Sequence, residues 1–244
     1  MSDRIHVAIR VRPLNAREEP HGSAWSCDET AISQINPETG RPTGNTYTFD
    51  RIYGQNEGSE DIYASTAGDI IKSALAGVNG TIFAYGQTSS GKTFTMRGNN
   101  ENPGIILLAI EDVFRYIKES PNLDFLLRVS YMEIYNEVIT DLLNPINTNL
   151  KVHEDIERGV FVGGVTEEIV TSQFQVLSIL ARGDANRKVG RTNMNEYSSR
   201  SHSIFRMVIE SSEKDASGED GKHGRGGHAA ARRSVPVPGG RGGG

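Results

Sequence analysis

The sequence predicts an α/β fold in which a central, mainly parallel or mixed β-sheet carries helices on both faces. Short runs of β-branched and aromatic residues alternate with segments whose apolar residues recur at helical spacing. One of these short runs leads directly into a glycine-rich loop and a further helix candidate, which is the order of a strand–loop–helix unit. The 244 residues are enough for one sizeable domain of this class or for two small ones.

The N-terminal part of the chain contains two strand candidates and one helix candidate. The first strand starts at Ile5, and Pro13 ends it because proline cannot donate a hydrogen bond to a neighbouring strand. Residues 14–46 are polar and rich in turn-forming residues, and residues 47–53 form the second strand candidate. Residues 59–77 begin with a serine suited to capping, carry an apolar helical face and end at a glycine, so they are predicted to be a helix.

The remaining elements continue the alternation. The longest strand candidate is apolar on both faces apart from Arg128 and Glu133, which favours a central position in the sheet. A Ser-x-x-Gln capping box opens the last helix, and Gly183 is expected to end it. In order, we predict a strand over 81–85, a helix from Lys92 to Met96, a helix over 104–118, a strand over 125–135, short strands or a hairpin within 141–162, a helix over 172–183, a polar loop over 184–203 and a strand over 204–210.

Residues 86–93 match the pattern G-x-x-x-x-G-K-[ST] of the phosphate-binding P-loop. Glycine lets the backbone curl without a Cβ clash, so that successive N–H groups can point at phosphate oxygens. Lys92 brings a positive charge to the β- and γ-phosphates, and the Thr93 hydroxyl is a ligand for Mg²⁺. The alternative is a chance match in a surface loop, which the apolar run before it disfavours. The predicted phosphate-binding residues are Gly86, Gln87, Thr88, Ser89, Ser90, Gly91, Lys92 and Thr93.

A second polar motif, Asn-Glu-Tyr-Ser-Ser-Arg-Ser-His, occupies residues 195–202. Its hydroxyls, amide, arginine and histidine are groups that could line a phosphate–Mg²⁺ site. Taken alone, a serine-rich loop is more typical of a solvated turn. Downstream of a P-loop, however, the motif becomes specific, and it argues against an unrelated P-loop kinase or GTPase.

With both motifs in place, the sequence resembles the kinesin motor domain. The resemblance covers residues 4–212 and includes Arg-Val-Arg-Pro at 10–13, the P-loop with Phe-Ala-Tyr before it, Tyr-Met-Glu-Ile-Tyr-Asn-Glu at 131–137, and the motif at 195–202. The stretch at 94–98 and the short N-terminus resemble the subgroup related to centromere-associated protein E, kinesin-7. The resemblance implies a P-loop NTPase fold that binds ATP or ADP with Mg²⁺ and has microtubules, polymers of tubulin, as its partner.

The resemblance also assigns nucleotide contacts to residues outside the P-loop. Arg10, Arg12 and Pro13 match a motif that lines the adenine side, and Tyr85 and Phe94 flank the loop. If the family resemblance is set aside, Arg10 and Arg12 are explained equally well as exposed residues at the end of a strand. Tyr85 would then only pack against its neighbours.

Further roles follow for the second motif. Ser198 and Ser199 match switch I, whose hydroxyls meet the γ-phosphate and the Mg²⁺ shell. Arg200 matches the switch I arginine that pairs with a glutamate of switch II, and Arg187 matches a basic residue that helps to order switch I. The resemblance thus implies Lys92, Ser198, Ser199 and Arg200 as catalytic residues, and Thr93 with Ser199 as the Mg²⁺ ligands.

One charged cluster resembles a microtubule-facing loop of the family, with His153 and Arg158 as its candidate contacts. A plain solvated cluster of charges explains these residues almost as well.

The composition limits the classes of function. A formal net charge of −5 argues against a general nucleic-acid binder. The single cysteine, Cys27, excludes an internal disulfide and a cysteine-rich metal site. No apolar run reaches the length of a membrane span, and residues 1–4 do not begin a signal peptide. We therefore expect a soluble protein of the cytoplasm and the microtubule cytoskeleton without membrane contact. No heptad run sets an oligomeric state.

The kinesin pattern also has a second switch, Asp-x-x-Gly-Ser-Glu, which this sequence does not contain. We therefore expect residues 1–212 to be the N-terminal part of a motor domain and 213–244 to be a disordered Gly/Arg-rich tail. An RGG-like nucleic-acid tail is disfavoured because no aromatic residue accompanies its arginines. The expected function is a microtubule-dependent motor ATPase. The alternative is a truncated product that binds nucleotide without efficient hydrolysis or movement, because switch II helps to position the attacking water.

Overall fold

The computed structural model describes residues 5–99, 101–156, 159–189 and 201–214. The chain divides into two compact units. The P-loop unit consists of Met1–Ala67 and Ala84–Ile105, and the sheet unit consists of Gly68–Phe83 and Ile106–Gly244. Across the described ranges, no helix combines the length and the apolar character that a membrane crossing requires.

The strands of the P-loop unit form two small sheets. In chain order they are β1 (Ala8–Arg10), β2 (Trp25–Cys27), β3 (Ala31–Ile35), β4 (Pro42–Thr48) and β5 (Arg51–Tyr53). β1 pairs in parallel with β5, whereas β2, β3 and β4 form an antiparallel sheet in that order. The sequence predicted only turns where β2, β3 and most of β4 lie.

The predicted strand over 47–53 was wrong in joining two strands that belong to different sheets. Asp50 lies between them, and its carboxylate accepts a hydrogen bond from the Val7 amide at 2.9 Å. The Asp50 amide in turn donates to the Val7 carbonyl at 3.1 Å. The chain changes sheets at Asp50 because these two bonds attach it to the residue just before β1.

The predicted helix over 59–77 is present but contains an irregular turn. It comprises α1 (Ser59–Ile62), a π-helical turn (Tyr63–Ala67) and α2 (Gly68–Leu75). Within the P-loop unit, the hydroxyl of Tyr53 lies 2.8 Å from Ser65 Oγ and 2.5 Å from Thr66 Oγ1. Tyr53 is 1% exposed, so this buried hydroxyl finds its partners in the wide turn. The predicted helix after the P-loop is also present, as α3 (Lys92–Arg97).

The sheet unit is organised around one long strand. Its further elements are α4 (Ile105–Glu119, whose first residue belongs to the P-loop unit), β6 (Leu123–Tyr135), β7 (Val138–Asp141), β8 (Lys151–Asp155), β9 (Gly159–Gly163), β10 (Glu168–Val170), α5 (Gln173–Val189) and β11 (Ser201–Glu213). β6 lies between β10 and β11 and also pairs with β7, always antiparallel. β8 and β9 form a separate hairpin. The central position of β6, the hairpin and the helix α4 are confirmed.

The core of the sheet unit lies on one face of β6. Leu127, Val129 and Tyr131 alternate along that face and are 3% exposed or less. Burying a side chain of this size stabilises a fold by roughly 1.5–3 kcal/mol. The buried cluster contains Ile110 and Val113 from α4, Leu127, Val129 and Tyr131 from β6, Leu142, Val170 from β10, and Val176, Ile179 and Leu180 from α5.

The predicted strand over 81–85 is not formed. These residues pair with no described strand, and the side chains of Phe83 and Tyr85 are 79% and 95% exposed. β-branched and aromatic residues favour a pleated surface, but a strand exists only where a neighbouring strand supplies hydrogen bonds. The apolar run therefore does not become part of a sheet among the described residues.

The predicted end of α5 at Gly183 was wrong, because the helix continues to Val189. The solvent-facing side of α5 also carries apolar residues, since Phe174 is 79% exposed and Ala181 is exposed. The buried stripe consists of Val176, Ile179, Leu180 and Gly183. Position 183 of this stripe requires a glycine, because a Cβ there would lie 2.2 Å from Cδ1 of Tyr131. The glycine permits close helix–strand packing and does not end the helix.

The predicted strand over 204–210 is longer at both ends in β11, which begins at Ser201 and reaches Glu213. The Lys214 amide then donates to the Asn122 carbonyl at 3.0 Å. The predicted tail boundary at residue 213 thus falls inside this strand. The disorder expected further on concerns residues 215–244, which lie outside the described part of the chain.

Candidate nucleotide-binding site

The backbone of the P-loop bends through left-handed conformations. Ser89 and Gly91 have φ angles of 64° and 96°, a region that residues other than glycine rarely adopt. At Gly86 a Cβ would lie 2.5 Å from Ser90 Oγ, so a larger residue would widen the loop. At Gly91 a Cβ would have no heavy atom within 4 Å. The loop is therefore closely packed at Gly86, whereas the space beside Gly91 is free of protein atoms.

Lys92 places its positive charge within the curve of the loop. Its Nζ donates to the carbonyl oxygens of Gly86 at 2.6 Å and Gln87 at 2.7 Å. An ammonium group has three donors, so a further N–H bond can serve an anionic oxygen. Thr93 follows at an exposed position in the first turn of α3. These features fit a phosphate group, and the Thr93 hydroxyl fits a hard cation such as Mg²⁺.

Arg10 connects β1 to the two helices beside the P-loop. Its NH1 donates to Ser59 Oγ at 3.0 Å and to Thr95 Oγ1 at 2.9 Å, and its guanidinium lies 5.1 Å from the ring centre of Phe94. Burial lowers the pKa of the Arg10 guanidinium from its ordinary value. The structure thus brings two predicted nucleotide contacts, Arg10 and Phe94, together. Ser59 and Thr95 were not predicted, and no spacing pattern in the sequence marks them as partners.

Arg12 is held by the loop that follows β1. Its NH2 lies 2.6 Å from Glu18 Oε1, and its NH1 lies 2.7 Å from Glu18 Oε2 and 2.9 Å from the Pro13 carbonyl oxygen. The hydrogen bond from Arg12, followed by one from the Asn15 backbone, lowers the pKa of Glu18 to about 2. The hydrogen bond to Glu18 also raises the pKa of Arg12. Arg12 therefore links the two ends of residues 13–18, and Pro13 lies beside the Arg12 guanidinium.

The Glu18 carboxylate should report this pair directly in a titration. Because its folded pKa lies near 2, below the ordinary 4.5, the pair stabilises the folded state above pH 4.5, and this contribution is lost as the pH falls towards 2. We expect Arg12→Gln to raise the pKa of Glu18 towards its ordinary value, measured by ¹³C NMR of the side-chain carboxyl. Arg17→Gln, which removes the same charge nearby, is the control. An unchanged Glu18 pKa in Arg12→Gln would contradict the pairing.

A cavity of about 580 Å³ lies beside the same arginines in the P-loop unit. Apolar residues of β1 and of the three-stranded sheet dominate its lining, with Trp25, Tyr47 and Phe49 as the aromatic members. The lining contains none of residues 86–93. The cavity therefore does not coincide with the predicted phosphate-binding loop.

Other predicted site residues are only partly described. The Tyr85 ring is 95% exposed, so it does not pack as an ordinary core residue. Ser198, Ser199 and Arg200, as well as Arg158, lie outside the described residues. His153 is exposed on the β8–β9 hairpin, where its ring stacks on Phe161 with ring centres 5.5 Å apart.

The sheet unit contains a polar group at its core that sequence reasoning did not assign. Glu133 is 5% exposed on β6, and Arg187 Nε donates to its Oε1 at 3.0 Å. The signal that could have revealed it is a carboxylate in an otherwise apolar strand, since a buried charge requires a partner. The partner itself is 54 positions away in the sequence.

Comparison with known proteins supports the interpretation of these motifs. The family model described as the kinesin motor domain matches residues 10–228. Kinesin-like protein KIN-7I of Oryza sativa subsp. japonica is 52% identical over 220 residues, which are 90% of this chain and 18% of the relative. Kinesin-like protein KIN-7O of Arabidopsis thaliana is 47% identical over 212 residues, 87% of this chain and 16% of the relative.

A solved structure of a fast kinesin superposes with a TM-score of 0.79 at 39% sequence identity, covering 86% of this chain and 60% of that one. The match to this chain covers less than a fifth of the length of each of the two curated relatives. Both carry the KIN-7 designation, which agrees with the predicted kinesin-7 subgroup, while the likeness to centromere-associated protein E stays a prediction. The predicted P-loop NTPase fold is confirmed by the structural match. The chain belongs to the kinesin motor domain family.

Proposed function

We propose that this chain binds ATP or ADP with Mg²⁺ through its P-loop and acts within a motor that couples ATP hydrolysis to movement along microtubules. The observation that carries the proposal is Lys92, whose ammonium lies within hydrogen-bond distance of the Gly86 and Gln87 carbonyls inside a curled P-loop. Such a loop holds phosphates through backbone N–H groups and one mobile cation. Membership of the kinesin motor domain family supports ATP as the nucleotide and microtubules as the partner.

The proposed roles of the adenine-side residues follow from their surroundings. The exposed Tyr85 ring provides a face on which a base can stack. Arg10 orients Phe94 and Thr95 on α3, and so holds the helix that begins at Lys92. Arg12 and Pro13 are proposed to bound the base from the end of β1.

The proposed catalytic roles concern the phosphate end of the nucleotide. Lys92 neutralises the β- and γ-phosphates, and Thr93 and Ser199 provide hydroxyl ligands for Mg²⁺. When bound, Mg²⁺ neutralises charge that develops on the phosphate oxygens. Ser198 and Arg200 are proposed to respond to the γ-phosphate.

For the partner, we propose that the β8–β9 hairpin contributes to the microtubule surface, with His153 and Arg158 as contacts. β8 is exposed throughout, and four of its five residues are charged or polar (Lys151, His153, Glu154 and Asp155). A mixed polar surface of this kind suits a reversible protein contact. The proposed location is the cytoplasm, on the microtubule cytoskeleton.

A microtubule-stimulated ATPase assay of the 244-residue chain tests the proposal. We expect Mg·ADP binding and a turnover that rises with the concentration of polymerised tubulin. Nucleotide binding without such turnover would favour the alternative, a nucleotide-binding product that does not work as a motor. A folded chain that binds neither ATP nor ADP would contradict the proposal altogether.

A further inference from the structure

The guanidinium of Arg10 is held between two hydroxyl groups of the P-loop unit, one from α1 and one from α3. Its NH1 nitrogen donates to Ser59 Oγ at 3.0 Å and to Thr95 Oγ1 at 2.9 Å. Since this nitrogen of an arginine carries two N–H groups, the two acceptors occupy it fully. We term these three residues the Arg10 bridge.

The helical segment that carries Ser59 is attached to β1 and β5 at two points. Arg10 of β1 and Tyr53 of β5 are neighbours in the register of the two strands. Arg10 bonds to Ser59 at the start of α1, and the Tyr53 hydroxyl lies within hydrogen-bond distance of Ser65 and Thr66 in the π-helical turn. Ser59 is itself 4% exposed. Its hydroxyl is therefore a fixed, buried acceptor for Arg10.

The rest of the Arg10 guanidinium can still contact a ligand. Its centre lies 5.1 Å from the ring centre of Phe94. Within the described part of the chain, no hydrogen bond engages its N–H groups on NH2 and Nε. A planar guanidinium can donate to the ring nitrogens of a purine or stack on the face of the base. Arg10 is thus anchored through one nitrogen and keeps donors for a base.

We infer that Ser59 is a positioning residue for the base of the nucleotide, because it fixes the rotation of the Arg10 guanidinium from a buried site. With Thr95 as the only acceptor, the guanidinium could turn about a single hydrogen bond. A contact that is ordered before binding costs less conformational entropy when the ligand arrives. The phosphates are contacted by Lys92 and the loop backbone, so they do not depend on Ser59. This inference rests on the proposed function, in which Arg10 lies beside the base.

The first test examines the Arg10 bridge without nucleotide, in the 244-residue chain. Rotation of the guanidinium exchanges the ¹⁵N NMR signals of NH1 and NH2 of Arg10. In Ser59→Ala we expect this exchange to become about fivefold faster, the factor that corresponds to the net contribution of one hydrogen bond.

The matched control is Ser65→Ala, the same substitution in the same helical segment. The Ser65 hydroxyl donates to the Asp61 carbonyl at 2.6 Å and lies 2.8 Å from the Tyr53 hydroxyl, but it does not contact Arg10. Tyr53 keeps Thr66 as a partner in this variant. Exchange of the Arg10 signals in the control should stay within about twofold of the parent chain.

The second test compares the affinities for Mg·ADP and for Mg·pyrophosphate, which has phosphate groups but no base. In Ser59→Ala we expect the affinity for ADP to fall by about fivefold and that for pyrophosphate to stay within about twofold. A merely structural role of Ser59 would weaken both affinities alike. If Ser59→Ala does not fold, Ser59→Cys fills the same space with a weaker acceptor and should change both measurements in the same direction.

Unchanged rotation of Arg10 in the folded variant would overturn the Arg10 bridge. Faster rotation with equal losses of ADP and pyrophosphate affinity, or with no loss, would overturn its role for the base. A parent chain that binds pyrophosphate as tightly as ADP would also overturn that role, while the phosphate-binding loop would stand. If the parent chain binds neither, the proposed function fails together with the role for the base, and the NMR measurement still decides whether the bridge exists.

Discussion

Replacing Lys92 with alanine is expected to weaken the binding of both Mg·ATP and Mg·ADP by about 10- to 100-fold. A hydrogen bond between charged groups contributes roughly 1.5–3 kcal/mol, and the factor follows from that range. Lys92 also bonds to the Gly86 and Gln87 carbonyls, so its loss removes contacts that hold the curve of the loop. Titration with a fluorescent ADP analogue measures the effect.

The matched control is Lys72→Ala, which removes the same charge from an exposed position on α2. The Lys72 side chain is 74% exposed and pairs with Asp69 one turn earlier. Nucleotide affinity should not change in this variant, since a surface ion pair of this kind contributes roughly 0–1 kcal/mol. An unchanged nucleotide affinity in folded Lys92→Ala would refute the assignment of residues 86–93 as a P-loop.

Replacing Gly183 with alanine should destabilise the sheet unit by about 1–3 kcal/mol, the usual cost of overpacking a core. In the interior of an ordinary helix the same change would stabilise by about 1 kcal/mol. Here the added Cβ would stand 2.2 Å from Cδ1 and 2.8 Å from Cε1 of Tyr131. The ring is 3% exposed and has an edge contact with Phe205, so it has little room to move. Urea unfolding measures the free-energy change.

Two further variants test whether the contact with Tyr131 causes the loss of stability in Gly183→Ala. Ser178→Ala, at an exposed position of the same helix, should be neutral or slightly stabilising because alanine is the stronger helix former. In a Tyr131→Val background, where the ring is absent, Gly183→Ala should lose its penalty and become stabilising. A stabilising effect of Gly183→Ala with the ring in place would show that α5 does not pack closely on β6.

Some elements could be read from the sequence because their signals are local. The apolar positions of α4 repeat every three or four residues, and β6 is apolar on both faces, so both appear within a short window. The same holds for the P-loop, whose spacing reflects the chemistry of one phosphate group. In contrast, β4 reads Pro-Thr-Gly-Asn-Thr-Tyr-Thr and is exposed at every position, so it has no apolar alternation to detect.

The residues discussed for the candidate site also differ in whether a local sequence signal marks them. Lys92 and Thr93 are predicted from the motif alone, since a phosphate ligand would bind one contiguous loop. Glu133 could not be paired from the sequence, because its partners Arg187 and Ser201 are 54 and 68 positions away. Its carboxylate in an apolar strand showed only that some partner was needed.

The sequence by itself determined the family, the P-loop and the order of the main helices and strands, because these depend on residues close together in the chain. Only the tertiary structure decided whether an apolar run becomes a strand, as it does at β6 and does not at residues 81–85. It also decided that Gly183 lies inside a helix and not at its end. The physical reason is that ladder hydrogen bonds, close packing and buried ion pairs each need a partner from a distant part of the chain.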